Sequence, residues 1–137
     1  MGTNFDEPET ATPVLRVLVV EDDPVVRFMT ARMIEVLGHT AVAVAGGEEA
    51  ENLPVESVFD VVLADLGLRG TPGHRLVERL RKRWPDVRAI IMSGYLEDDG
   101  VRAGHRDGRW RLLQKPFSFE TLAAELREPA GPRRNVP

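Results

Sequence analysis

Residues 17–24 read VLVVEDDP, a run of four apolar residues that ends on three adjacent carboxylates and a proline. Four consecutive Val and Leu residues, without apolar–polar alternation, favour a strand that is buried on both faces. Pro24 fits the first turn of a helix, and we expect Asp23 to cap that helix. The stretch therefore predicts a buried strand, a short loop that carries Glu21 and Asp22, and a helix, in that order.

Similar apolar runs recur along the chain. The first strand extends back to Val14, and four further runs are short and rich in Val, Ile and Leu: TAVAVA (40–45), VFDVVLA (58–64), VRAIIMS (87–93) and WRLLQ (110–114). Their length and composition favour strands over helices. We therefore predict five strands.

Three segments between these runs have the spacing of amphipathic helices. One runs from His74 to Trp84, and another is capped by Ser118. The first begins at Pro24, ends at Gly38 and carries an apolar stripe at Val25, Phe28, Met29, Ala31, Met33 and Ile34. The connectors 46–54 and 95–108 are weaker, and in the second of them Gly100, Gly104 and Gly108 argue against a long helix. Alternation of strands and helices predicts an α/β fold, a doubly wound five-stranded parallel sheet with helices on both faces.

Length and composition restrict the kind of protein. The 137 residues suit one domain, which we place at 14–128 between flexible tails at 1–13 and 129–137. The net charge of −4 argues against direct nucleic acid binding, and the absence of cysteine excludes a thiol nucleophile. The chain has neither a long apolar run nor a signal peptide pattern, so we expect a cytoplasmic protein without membrane association.

Polar side chains follow the predicted strands where each strand ends. Glu21 and Asp22 follow the first, and Asp65, Ser93 and Lys115 follow the third, fourth and fifth. The carboxyl ends of parallel strands meet at one edge of the sheet, so these side chains should lie together. Crowded carboxylates favour a hard divalent cation such as Mg²⁺, and an aspartate between a metal and a lysine suits an aspartyl phosphate.

Taken together, four motifs resemble a receiver domain of a two-component response regulator. VLVVEDDP, the segment DLGLRGTPG that begins at Asp65, MSG at 92–94 and KPF at 115–117 occur in the family's order and spacing. The resemblance covers about residues 14–128 and implies a flavodoxin-like sheet with strand order 2-1-3-4-5.

The resemblance also assigns roles to the residues at the strand ends. It implies that Asp65 is the phosphoacceptor, that Ser93 and Lys115 contact the phosphoryl group, and that the Lys115–Pro116 bond is cis. It implies that Mg²⁺ is held by Glu21, Asp22, Asp65 and the backbone carbonyl of Gly67. A receiver of this kind catalyses its own phosphorylation and slow dephosphorylation. The implied phosphoryl donor is a sensor or hybrid histidine kinase or a histidine phosphotransferase.

Several positions depart from the family pattern. Leu112 stands where receivers commonly carry the aromatic residue that moves on activation, and Trp110, two residues earlier, is a candidate substitute or a simple packing residue. Gly67 and Tyr95 occupy the positions that influence hydrolysis, and we expect them to give a long-lived phosphorylated state. Arg69 replaces the usual proline after the phosphoacceptor, so the shape of that loop could alter the choice of kinase.

Three hypotheses about the function remain open at this point. The first is a stand-alone receiver that signals to a downstream protein through the face formed by residues 95–128. The others are a phosphate sink or relay receiver without its own output, and a receiver excised from a hybrid histidine kinase. Homodimerisation is also left open. Cationic side chains on that face favour an acidic partner, although solvated surface charge is the default interpretation. These side chains are Arg102, His105, Arg106, Arg109 and Arg111.

Overall fold

The computed structural model describes residues 13–94 and 98–128. Strands and helices alternate throughout these ranges, as the apolar runs predict. The elements are β1 Arg16–Val20, α1 Pro24–Val36, β2 Thr40–Val44, α2 Gly47–Glu51, β3 Val61–Asp65, α3 Gly73–Leu80, β4 Arg88–Ser93, α4 Asp99–Arg106, β5 Arg111–Gln114 and α5 Phe119–Arg127.

The strands form one parallel sheet in the order β2-β1-β3-β4-β5. Val17 at the start of β1 pairs with Ala41 of β2 and Val61 of β3, so the central strands are in step. Asp65, the last residue of β3, pairs with Met92 of β4. The predicted fold and strand order are confirmed, and the carboxyl ends of the strands lie along one edge.

The core consists of two apolar clusters, one on each face of the sheet. Leu18 and Val20 of β1 face a cluster completed by α2, α3 and α4, whereas Val17 and Val19 face a cluster completed by α1 and α5. Alternate residues of a strand point to opposite faces, so a strand covered on both sides must be apolar throughout. This is why β1 shows no alternation.

The apolar stripe predicted for α1 is only partly correct. Thr30 and Ile34, one turn apart, are the residues of α1 that are buried against the sheet. Val25, Phe28 and Met29 are exposed. The helix buries a narrower face than its composition suggests, and an apolar surface is left open beside the end of β1.

The connector at 95–108 contains a short helix, which is consistent with the expectation that its glycines disfavour a long one. The helix α4 is eight residues long and includes both Gly100 and Gly104. A Cβ on Gly104 would lie 2.0 Å from Cζ2 of Trp110, so the indole ring occupies the space that any side chain would need. Gly104 is therefore required by close packing. Gly108 follows the helix with a φ of +79°, which favours glycine there.

Element boundaries differ from the predictions by a few residues. The strands β1 and β3 begin later than expected, at Arg16 and Val61, and α3 ends earlier than expected, at Leu80.

The predicted helix caps are confirmed. Asp23 accepts hydrogen bonds from the N–H groups of Val25 and Val26, and Ser118 accepts one from Thr121. Apart from Pro13, the predicted tails lie outside the described residues, so their flexibility stays a prediction.

Across residues 13–94 and 98–128, no helix has the length and apolar character needed to cross a membrane.

Candidate functional site

Three carboxylates meet at the carboxyl ends of β1 and β3. Glu21 and Asp22 follow β1 directly, and Asp65 ends the neighbouring strand β3. Each can contribute one oxygen to a set in which all three atoms lie within 4.8 Å of one another. The site therefore follows from the topology, because two adjacent parallel strands end on acidic residues at the same edge.

These carboxylates differ in exposure. Glu21 is 1% exposed and Asp65 is 8% exposed, whereas the side chain of Asp22 is 24% exposed. Burial of an uncompensated negative charge is strongly unfavourable, so the two inner carboxylates need a positive partner.

Lys115, which follows β5, is that partner. Its Nζ donates hydrogen bonds to Oδ1 of Asp65 at 2.8 Å and to Oε1 of Glu21 at 3.0 Å. Burial alone would lower the pKa of the Lys115 ammonium, but hydrogen bonds to Asp65 and Glu21 and their charges outweigh it and raise the pKa. Lys115 is therefore firmly protonated at neutral pH.

The three consecutive carboxylates after β1 have separate surroundings. Oε2 of Glu21 accepts a hydrogen bond from the N–H of Asp23 at 3.1 Å, which fixes the Glu21 side chain towards the interior. Asp23 caps α1. Asp22 instead contacts the loop after β3, where its Oδ2 accepts a hydrogen bond from the N–H of Arg69 at 3.3 Å. Glu21 and Asp22 thus remain available to a shared cation while Asp23 serves the helix.

Ser93 and Gly73 complete the surroundings of Asp65. Ser93 ends β4, is buried, and its carbonyl accepts a hydrogen bond from the N–H of Lys115 at 2.8 Å. A Cβ on Gly73 would lie 2.3 Å from the carbonyl oxygen of Asp65, so α3 starts directly against the end of β3. A Cβ on Gly67 would lie 3.5 Å from Oδ2 of Asp65, which places Gly67 beside the carboxylate. The Lys115–Pro116 bond is cis, as expected.

Two candidate switch residues, Trp110 and Leu112, lie on the side of the sheet that carries α4. Trp110 is 1% exposed, and its Nε1–H donates to the carbonyl oxygen of Val101 at 2.9 Å. Its ring also contacts His74 edge to face, with centroids 5.9 Å apart. Leu112 is half-buried against the same cluster. Tyr95 lies outside the described residues, so its predicted effect on hydrolysis stays a prediction.

Two cations of the predicted output face are held by acidic groups of the same chain. Arg109 forms ion pairs with Glu78 at 2.9 Å and Asp107 at 3.7 Å, and Arg111 forms one with Glu125 at 2.5 Å. These pairs reduce the positive charge that the face can offer to an acidic partner. The prediction of such a partner consequently loses part of its basis.

Two features of the site were not foreseen from the sequence. One is the contact between Arg69 and Asp22, although the charge of Arg69 four residues after Asp65 was a usable signal. The other is an apolar groove between α1 and the segment after β5, whose lining residues are Val26, Met29, Thr30, Met33, Lys115, Pro116 and Phe117. The groove becomes apparent only once the structure shows which residues of α1 are buried and which are exposed.

The donor set suits Mg²⁺. Three carboxylate oxygens in close reach are hard ligands, and Mg²⁺ commonly uses a few carboxylates together with water and a phosphate oxygen. The carboxylates of Glu21, Asp22 and Asp65 outnumber the cations that contact them, Lys115 and Arg69, so the cleft keeps a negative charge that a divalent cation would offset. The residues present therefore fit the metal that the resemblance implies.

Comparison with known proteins agrees with this geometry. The family model described as the response regulator receiver domain matches residues 17–127. The sensor kinase CckA of Brucella abortus is 36% identical over 114 residues, which cover 82% of this chain and 12% of that protein. The response regulator FleR of Pseudomonas aeruginosa is 32% identical over 107 residues, covering 78% of this chain and 23% of FleR.

Solved structures give the same result. The chemotaxis protein CheY4 of Vibrio cholerae superposes with a TM-score of 0.75 at 24% identity, covering 83% of this chain and 97% of CheY4. The receiver domain of the hybrid histidine kinase CckA gives a TM-score of 0.65 at 28% identity, with 81% and 94% covered. The chain spans between 12% and 50% of the length of the first curated relatives it matches. Since the family model covers most of the chain and the fold agrees, the chain belongs to the family of response regulator receiver domains.

Proposed function

We propose that this receiver accepts a phosphoryl group from the phosphohistidine of a histidine kinase or histidine phosphotransferase onto Asp65, with Mg²⁺ as cofactor. The observation that carries the proposal is the position of Lys115, whose Nζ contacts both Asp65 and Glu21. This arrangement places a fixed positive charge beside the reacting carboxylate, where charge on the phosphoryl oxygens must be neutralised.

In the proposed reaction, a carboxylate oxygen of Asp65 forms a bond to phosphorus as the bond between phosphorus and the donor imidazole breaks. The imidazole nitrogen leaves with the electron pair of the broken bond. Lys115 binds one phosphoryl oxygen and the Ser93 hydroxyl donates to another. Glu21, Asp22, Asp65 and the carbonyl of Gly67 would hold Mg²⁺, which would supply positive charge to the phosphoryl oxygens.

The apolar groove beside Lys115 suggests how the donor docks. Its walls come from α1, including the exposed Met29, and from the segment that contains Phe117. Two further residues of α1 are apolar and exposed, Val25 and Phe28. A donor must bring its phosphorus to Asp65, and this groove adjoins the lysine that contacts Asp65. An amphipathic helix carrying the donor histidine is the partner that such a groove fits.

Transmission of the signal would use Trp110. Leu112 has no ring to move, whereas Trp110 bonds to α4 through Val101 and touches His74 at the start of α3. Because α3 begins against the backbone of Asp65, a shift at Asp65 can reach α4 through His74 and Trp110. We therefore propose that phosphorylation alters the position of α4 and the protein-binding face around it.

A relay or sink role within a phosphorelay is the second candidate. Likeness to the sensor kinase CckA and to the receiver of the hybrid histidine kinase CckA supports a receiver that belongs to a hybrid histidine kinase or serves one as a relay. In that case the phosphoryl group on Asp65 would pass to a histidine phosphotransferase, and α4 need not bind a target. The two roles differ in whether phosphorylated Asp65 changes binding to a third protein.

Treatment with acetyl phosphate and Mg²⁺, followed by intact mass measurement, tests the central proposal. We expect one phosphoryl group on the wild type, none on Asp65→Asn, and none when Mg²⁺ is chelated. Asp86→Asn is the matched control, because Asp86 is an exposed carboxylate before β4, at the opposite edge of the sheet. A wild-type chain that gains no mass would refute the proposal.

A further inference from the structure

Arg69 adds a second positive charge to the acidic cleft. It lies in the loop between β3 and α3, four residues after Asp65. Its N–H donates to Oδ2 of Asp22 at 3.3 Å, and its guanidinium Nε lies 3.9 Å from the same oxygen. The proline that is usual at this position has neither an N–H nor a charge, so both contacts depend on this substitution.

The two cations of the cleft hold different carboxylates. Lys115 contacts Glu21 and Asp65, the buried pair, and is itself three-quarters covered. Arg69 contacts Asp22, the most exposed of the three, and its own side chain is 92% exposed. Lys115 is thus fixed in the cleft, whereas Arg69 can leave Asp22 for solvent without losing buried contacts.

We propose that the guanidinium of Arg69 is a displaceable counterion of Asp22 that weakens the binding of Mg²⁺. The inference rests on the proposed function, since it concerns the same cation site. A divalent cation bound by Asp22 lies close to the guanidinium and is repelled by it, so Mg²⁺ must displace Arg69 or bind against its charge. Arg69 therefore raises the Mg²⁺ concentration at which the cleft is filled.

Arg69 also couples the loop after β3 to the state of the cleft. Gly70, with a φ of +83°, follows directly, and Thr71 and Pro72 lead into α3. While Arg69 is bound to Asp22 by its N–H and its guanidinium, the loop is tied to the end of β1. Release of the guanidinium by Mg²⁺ frees the side chain at the rim of the cleft.

The test is a titration of the whole chain with MgCl₂ at low ionic strength, followed by the NMR shifts of the Gly67 and Arg69 amides. Arg69→Gln removes the charge and keeps the N–H, and Arg69→Lys keeps both. Because exposed ion pairs are weak, we expect about 2- to 5-fold tighter Mg²⁺ binding for Arg69→Gln and less than about 2-fold change for Arg69→Lys. The difference should shrink at high salt.

Arg127→Gln is the matched control for net charge, because Arg127 is exposed at the end of α5, away from the carboxyl ends of the strands. Equal Mg²⁺ affinity for wild type and Arg69→Gln would overturn the inference, and so would an equal gain for Arg127→Gln or for Arg69→Lys. A wild type that binds no Mg²⁺ would instead refute the metal site of the proposed function.

Discussion

Nζ of Lys115 lies 2.8 Å from Oδ1 of Asp65, although 50 residues separate them in the chain and β4 lies between their strands in the sheet. The lysine side chain spans that strand at the carboxyl edge and also reaches Glu21 after β1. One cation therefore links the ends of three strands. The acidic cleft and the stability of this edge of the sheet depend on the same contact.

Replacement of Lys115 should affect both the stability of the chain and the proposed phosphorylation of Asp65. In Lys115→Met the buried carboxylates of Asp65 and Glu21 lose their cation, so we expect the free energy of unfolding without Mg²⁺ to fall by about 1–3 kcal/mol. Phosphorylation of Asp65 by acetyl phosphate should slow by at least about 10-fold. Urea denaturation and intact mass against time measure the two effects. Lys82→Met, at an exposed position, is the control, and equal behaviour of the two variants would contradict the expectation.

The contribution of Lys115 to stability should be lost at high pH. Its pKa is raised in the folded chain, so folding favours the protonated form, and its contribution is complete below the pKa of an unfolded lysine, about 10.4. As the pH rises through the higher folded pKa, the difference in unfolding free energy between wild type and Lys115→Met should shrink. Urea denaturation from neutral pH to strongly alkaline pH measures this. A difference that grows with pH would be the opposite result.

His39 should make stability sensitive to mild acid. Burial, and then the positive charge of Arg88, lower the pKa of His39, and its Nδ1 accepts a hydrogen bond from the N–H of Leu15 at 3.0 Å. The unfolded chain binds the proton more readily, so stability should fall as the pH drops below about 6.5 towards the folded pKa.

An NMR titration of the His39 ring should give a pKa below that of an unstructured histidine. His39→Asn, which cannot be protonated there, should lose less stability than the wild type over the same pH range. His105→Asn removes a different histidine and serves as the control. A His39 pKa at or above the ordinary value would contradict this account.

The sequence was sufficient for the parts of the fold set by local rules. Runs of Val and Leu located the strands, and Asp23 and Ser118 capped the helices where expected. The acidic site could also be predicted, because parallel strands end at one edge and the residue after each apolar run is known from the sequence. These features need no knowledge of which helix faces pack together.

Features that depend on tertiary packing could not be predicted from the sequence in this way. The exposed position of Phe28 depends on how α1 lies on the sheet, which the spacing of apolar residues does not determine. In α4, glycine has a low helix propensity, and only the packing of Trp110 against Gly104 shows why a glycine is needed there. Likewise, the contact of Arg69 with Asp22 depends on the path of a loop.

Gly104→Ala should destabilise the chain even though alanine is the better helix former. The new Cβ would lie 2.0 Å from Cζ2 of Trp110, so the indole or α4 must move. We expect a loss of about 1–3 kcal/mol after the gain in propensity. Gly100→Ala in the same helix is the control, because its nearest neighbour is the Asp98 side chain at 3.2 Å. Thermal or urea unfolding that ranks the two variants equally would argue against the tight fit.

Trp110 should report activation if it replaces the aromatic residue missing at Leu112. In a Trp84→Phe background, where Trp110 is the remaining tryptophan, addition of beryllium fluoride with Mg²⁺ should change its fluorescence and shift its Nε1–H resonance. The physical reason is the hydrogen bond from Nε1 to Val101, which must lengthen or break if α4 moves. Asp65→Asn in the same background should give no response. An unchanged resonance in the chain that retains Asp65 would mean that Trp110 is a static core residue and does not report the proposed phosphorylation.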